Sequence, residues 1–143
     1  MRSSTLAKYV AELTLTKKAY DVVVMDLRQI SPVADFFVIC SADSDVQVKA
    51  IADVVEEGME KRGALPWHKE VTSINWVVLD YVDVVLHVFH KHTRSFFNLE
   101  KLWGDAKMTW FGDKRAKPAS KRVRSTRAGR SRRTMKTSRK AAP

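Results

Sequence analysis

Cysteine is almost missing from the 143 residues: Cys40 stands alone, so no internal disulfide can form and no thiolate cluster exists to hold zinc. Long apolar runs are missing too. None approaches the ~18 residues that suggest a membrane span; the longest, 36–40 and 83–89, are strand-sized. Met1-Arg2-Ser3-Ser4-Thr5 leads into a sparse apolar pattern interrupted by Lys8 and Glu12, which is not the form of a signal peptide. These absences predict a protein of a reducing, cytoplasmic setting with no membrane contact. Glycine is scarce, and none precedes Gly58, which leaves the first part of the chain without a Gly-Ser phosphate loop. No internal repeat is visible.

Acid is absent from one end. Lys114–Pro143 holds 13 of the 26 Lys and Arg and no Asp or Glu, whereas residues 1–113 hold the other 13 against all 16 acids, a net of −3. The overall charge of +10 therefore describes neither part. The expected organisation is a slightly acidic domain, residues 1–113, followed by a basic tail, 114–143. Val123 and Met135 are the tail's only large apolar residues. Such a segment cannot bury enough surface to offset its ordering entropy, and disorder is expected. Its cations, Arg122, Arg124, Arg127, Arg130, Arg132 and Arg133 among them, would bind RNA by releasing counterions. With no aromatic side chain to stack on bases, that binding would be indifferent to sequence.

Within the domain, periodicity predicts the elements. Leu6, Tyr9, Val10 and Leu13 fall at helical spacing, with Ser3, Ser4 and Thr5 as candidate N-caps. Residues 21–27 and 36–40 read as buried strands. Val48, Ile51, Ala52, Val55 and Met59 form one stripe of a helix with Asp43 and Asp45 at its start and Gly63 past its end. Residues 74–81 and 83–90 predict a tight antiparallel hairpin, although its turn at Val82 lacks the favoured glycine. Phe96, Leu99 and Trp103 mark a last helix over 93–103, and Trp110-Phe111 a short strand. Strands alternating with helices predict a single α/β domain with a mixed β-sheet flanked by helices.

The stretches DFFVICS (35–41), IAD (51–53), WVVLDY (76–81), DVVLHVF (83–89) and LEKLW (99–103), in that order, resemble the ribosomal silencing factor family (RsfS, or iojap-like). The resemblance spans about Leu6 to Trp103. It implies a sheet distantly like that of nucleotidyltransferases but without their catalytic site, no enzymatic activity and no cofactor. It also implies binding to the large ribosomal subunit on its fourteenth ribosomal protein, obstructing the small subunit and lowering translation when nutrients are short. Departures are local: Ala34 where Thr is usual, Ala42-Asp43-Ser44-Asp45 and Val82 where Gly is usual, Phe96-Phe97 where Tyr is frequent, and the tail itself. A homodimer is compatible with this reading. The alternative function is a general RNA binder acting through the tail.

Trp76 is the first candidate for the partner surface. From the residues alone, an aromatic at a strand start belongs in a core somewhat more often than at an interface; the resemblance reverses this, because it implies that Trp76 matches a position that grips the ribosomal protein. Strand alternation puts Val78 and Asp80 on its face and Leu79 and Tyr81 on the other. Tyr81 and Trp103 are further candidates. Asp43 and Asp45, with Asp80, have the residue types of a Mg²⁺ site, but helix capping accounts for the first two; beside the hairpin, turn chemistry accounts for Asp83 and leaves Asp80 open. His87 and His90 point to opposite faces of a strand and do not suit a metal. His87 is expected to hydrogen-bond within the sheet.

Overall fold

The β-branched run near the N-terminus forms the strand its burial requires, and five more strands assemble around it. The computed structural model describes residues 2–112; the expected tail lies outside them. In chain order the elements are α1 (Ser3–Leu15), β1 (Tyr20–Asp26), β2 (Phe36–Ala42), α2 (Asp45–Lys61), β3 (His68–Ser73), β4 (Trp76–Asp80), β5 (Val84–His90), α3 (Lys91–Phe97), α4 (Leu99–Leu102) and β6 (Lys107–Phe111). The fold is one mixed α/β domain. Its sheet runs β3-β4-β5-β2-β1-β6, with β2 and β5 parallel and the other pairs antiparallel.

The two sheet faces are filled differently. On one, Ala7, Val10 and Ala11 of α1 and Val48, Ile51, Ala52, Val55 and Met59 of α2 pack on alternate residues of β1, β2, β4 and β5, forming the main core. This is the α2 stripe that the sequence predicts. On the other, Val23, Met25, Leu27, Ile39 and Phe89 form a smaller cluster, which Phe37, Trp76, Leu99, Trp103, Ala106 and Met108 only partly close.

Local chemistry sets the helix ends. Ser44, not an aspartate, caps α2 by accepting from the Gln47 backbone N–H at 3.1 Å, while Gln47 Oε1 accepts from the Asp43 N–H at 2.8 Å. That is a capping box displaced by one residue. Arg2, rather than Ser3, Ser4 or Thr5, occupies the N-cap of α1; Ser3 Oγ instead donates to Asp35 at 2.8 Å, tying the helix start to the loop before β2. At Gly58 an added Cβ would lie 2.6 Å from Leu13 Cδ1, so the missing side chain is what lets α2 approach α1.

Two regions differ from the sequence reading. β3 was unforeseen: all six of its residues are exposed, so it carries none of the apolar alternation by which a half-buried strand is recognised. The expected helix over 93–103 is two short helices, broken where Asn98 adopts φ 45°. The break overturns the expected stripe. Leu99 and Trp103 pack inward, but Phe96 is 82% exposed. The hairpin forms as expected, and its misfit is visible in the backbone: Val82 sits at φ 73°, a region that costs a β-branched residue of order 1–3 kcal/mol. Val82→Gly removes that strain and raises the unfolded chain's entropy by less. It should stabilise the domain by about 1 kcal/mol, measured as a higher urea midpoint at unchanged m-value.

Candidate functional site

β4 alternates between two environments. Val77 and Leu79 are buried in the main core, while Trp76, Val78 and Asp80 are half-buried on the opposite face. Pairing sets these three level with Phe89, His87 and Val85 of β5. Trp76 is the centre of an aromatic group. Its ring lies 4.9 Å from Phe89, 4.7 Å from Phe97 and 6.1 Å from His87, centroid to centroid. Its indole Nε1–H donates to His87 Nδ1 at 3.3 Å. This is the hydrogen bond expected of His87, and it fixes the tautomer: with Nδ1 accepting, the proton resides on Nε2. Nε2 is buried and has no hydrogen-bond partner among the described residues. Burial lowers the His87 pKa to about 4, so the ring is neutral near pH 7.

Trp103 belongs to the same face. Its ring meets Phe37 edge-on at 6.0 Å, and Phe37 in turn meets His87 at 4.8 Å. Tyr81, offered by the sequence as a further candidate for partner contact, is not on the face that Trp76 shares. It lies in the main core at 8% exposure, its hydroxyl is buried with no hydrogen-bond partner among the described residues, and burial, followed by nearby Glu56, pushes its pKa up to about 12. The cause is the strand alternation that exposes Trp76.

Beside Trp76 the short helices present apolar side chains to solvent. Phe96 stands edge-on to Phe97 at 5.1 Å, and with Leu102, Asn98 and Lys101 they line an open groove. Leu102 is 70% exposed. Phe97 and Leu102 were not singled out from the sequence, because an unbroken helix would have turned Phe97 away from the apolar stripe. The signal that could have found them is Asn98, the residue type that most readily adopts the left-handed conformation after glycine.

The acidic residues that suggested a metal are separated. Asp80 lies level with Val85 and, through it, with Phe37 at the start of β2, whereas Asp43 follows the end of β2. Asp43 Oδ1 accepts from the Tyr20 hydroxyl at 2.8 Å, and Asp80 Oδ1 accepts from the Val82 N–H at 2.7 Å, inside the turn. Among the described residues no group of three or more His, Cys, Asp or Glu is placed to hold a metal ion. Cys40 is fully buried and its thiol is pushed up to about 12 by burial, so it packs as a small hydrophobe. No helix among the described residues is long and apolar enough to cross a membrane.

Comparison with known proteins adds a family. The model described as ribosomal silencing factor during starvation matches residues 1–142. The chain is 43% identical over 107 residues to the ribosomal silencing factor RsfS of Bacillus subtilis, covering 74% of this chain and 91% of that one. It is similar to a crystal structure of a Chromobacterium violaceum protein at TM-score 0.70 and 28% identity, covering 82% of this chain and 98% of that one. A second crystal structure, from Bacillus halodurans, aligns at TM-score 0.59 and 40% identity over 70% of this chain and 91% of that one.

Proposed function

The chain belongs to the ribosomal silencing factor family, and on that footing we propose that it docks on the large ribosomal subunit and excludes the small one. The observation that carries the reading is the half-buried Trp76, backed by Phe89, Phe97 and His87, on the less covered face of the sheet. A rigid aromatic with a packed surround is the type of residue that dominates protein interfaces. Val78 and Asp80 share its face, and Phe96, Phe97 and Leu102 extend it. The partner in contact is one large-subunit ribosomal protein, the fourteenth, as the family resemblance implies. The domain acts by occupying space and performs no chemistry: subunits that cannot join do not translate, and the effect belongs to the nutrient-poor cytoplasm.

The basic tail adds grip on rRNA. Once the domain is docked, the tail is held near phosphate at high effective concentration. The same tail supports the second reading, a general RNA binder. Sedimentation with isolated large subunits separates the two. The chain ending at Asp113 should still co-sediment, more weakly, and still lower the fraction of joined ribosomes. The salt slope should flatten by roughly 0.7–0.9 for each phosphate contact the tail had made. Loss of all binding with the tail would sink the docking reading in favour of the general one.

A further inference from the structure

α3 and α4, of seven and four residues, are too short to hold themselves. They bury little: Arg94 is the one buried residue of α3, and α4 has none. Besides Leu99 and the Phe97 ring, which pack on the second cluster, what anchors them is the Arg94 side chain, itself 8% exposed. Its Nε and Nη2 donate to Glu100 Oε2 at 3.0 and 2.7 Å, closing α3 onto α4. Its Nη1 donates to Ser41 Oγ of β2 at 2.9 Å and to the Asp21 carbonyl of β1. The backbone is shaped for this. Asp21 sits at φ 49°, in the irregularity between Tyr20 and Val23 where β1 loses register with β2. The planar guanidinium thus ties α3 to three other elements through four hydrogen bonds, whereas an ammonium has only three donors and no fixed fork.

We propose that Arg94 is a positioning residue for the docking surface. By fixing α3 and α4 against the sheet it holds the Phe97 ring on Trp76, so that Phe96, Phe97 and Leu102 continue the surface that Trp76 begins. This rests on the docking reading above. Charge here serves shape: the Arg94 guanidinium is too buried to meet a partner itself, and the Glu100 Oε1 atom is buried as well.

The test uses the full chain and isolated large subunits, comparing Arg94→Lys, Arg94→Met, Glu100→Gln and Trp76→Ala by co-sedimentation. Hydrogen exchange of the same proteins reports which segments remain protected. Arg94→Met should weaken binding at least tenfold and Arg94→Lys and Glu100→Gln less. Amides of α3 and α4 should lose protection while those of β1, β2, β4 and β5 keep theirs. A merely structural role would not produce that split. If the Arg94 variants stay folded and bind within twofold of the parent while Trp76→Ala binds poorly, the positioning role is overturned and docking stands. If Trp76→Ala also binds like the parent, docking itself falls. If all three Arg94 and Glu100 variants lose protection throughout the sheet, Arg94 supports the whole domain and the proposal is likewise overturned.

Discussion

Trp76→Ala is expected to weaken binding to large subunits by about a hundredfold, or ~2.7 kcal/mol, with most of the change in the dissociation rate. The size follows from what is removed. The indole closes one end of the second sheet face and presents its remaining surface outward, tilted against the rings of Phe89 and Phe97. Truncation deletes the contact and also removes one of the rings that support Phe97. The same packing means that Trp76→Ala lowers stability as well, because a cavity opens against Phe89. Trp76→Phe distinguishes the two losses. Phenylalanine retains a ring against Phe89 and Phe97 but donates no hydrogen bond to His87, so stability should recover more than affinity. Surface plasmon resonance at moderate salt, below the urea midpoint of each variant, measures both rates. Binding by Trp76→Ala equal to the parent would remove this face from the interface.

What could be read from sequence divides along a physical line. Buried elements were legible. β1, β2, β5 and α2 are selected by burial of apolar side chains, and that selection leaves a period in the residues. The face assignment of β4 was legible for the same reason, and it placed Trp76, Val78 and Asp80 together while contradicting any surface role for Tyr81. β3 was not legible, because an edge strand exposed on both faces is held by its hydrogen bonds to β4, and backbone pairing has no side-chain signature. The broken helix was not legible because one residue, Asn98, overrides a stripe that Phe96, Leu99 and Trp103 otherwise satisfy. Arg94 was missed for a stronger reason. Arginine is usually exposed, and its burial depends on Ser41, Asp21 and Glu100, up to 73 positions away in the chain. The proposed docking surface therefore had a visible centre and an invisible rim.

Acid should dismantle the site through His87. Its pKa is about 4 in the folded protein because burial disfavours the imidazolium, against about 6.5 in an unfolded chain. Above pH 6.5 both states are neutral and His87 contributes no pH dependence. As pH falls below that value the unfolded chain takes up a proton that the folded one refuses, so stability declines, and the full loss is reached near pH 4. The gap corresponds to about 3 kcal/mol, large against the 5–15 kcal/mol typical of a domain. Carboxylates also titrate in this range, Asp26 among them, its pKa lowered by Arg28. The comparison with His87→Gln isolates the histidine, since glutamine offers an amide oxygen to Trp76 and does not ionise. Urea unfolding from pH 7 to pH 4 should show a slope for the parent that is steeper than for His87→Gln by that amount, and an NMR titration should find the imidazole of the folded parent still neutral at pH 5. Protonation has a second consequence. It puts N–H on both ring nitrogens, so Nδ1 no longer accepts from Trp76, and the ring that backs the docking residue becomes one that repels its donor. Large-subunit binding should accordingly fall together with stability below about pH 5 in the parent, and not in His87→Gln; an imidazole that titrates near 6.5 in the folded chain would show that the ring is solvated and that Trp76 is held in some other way.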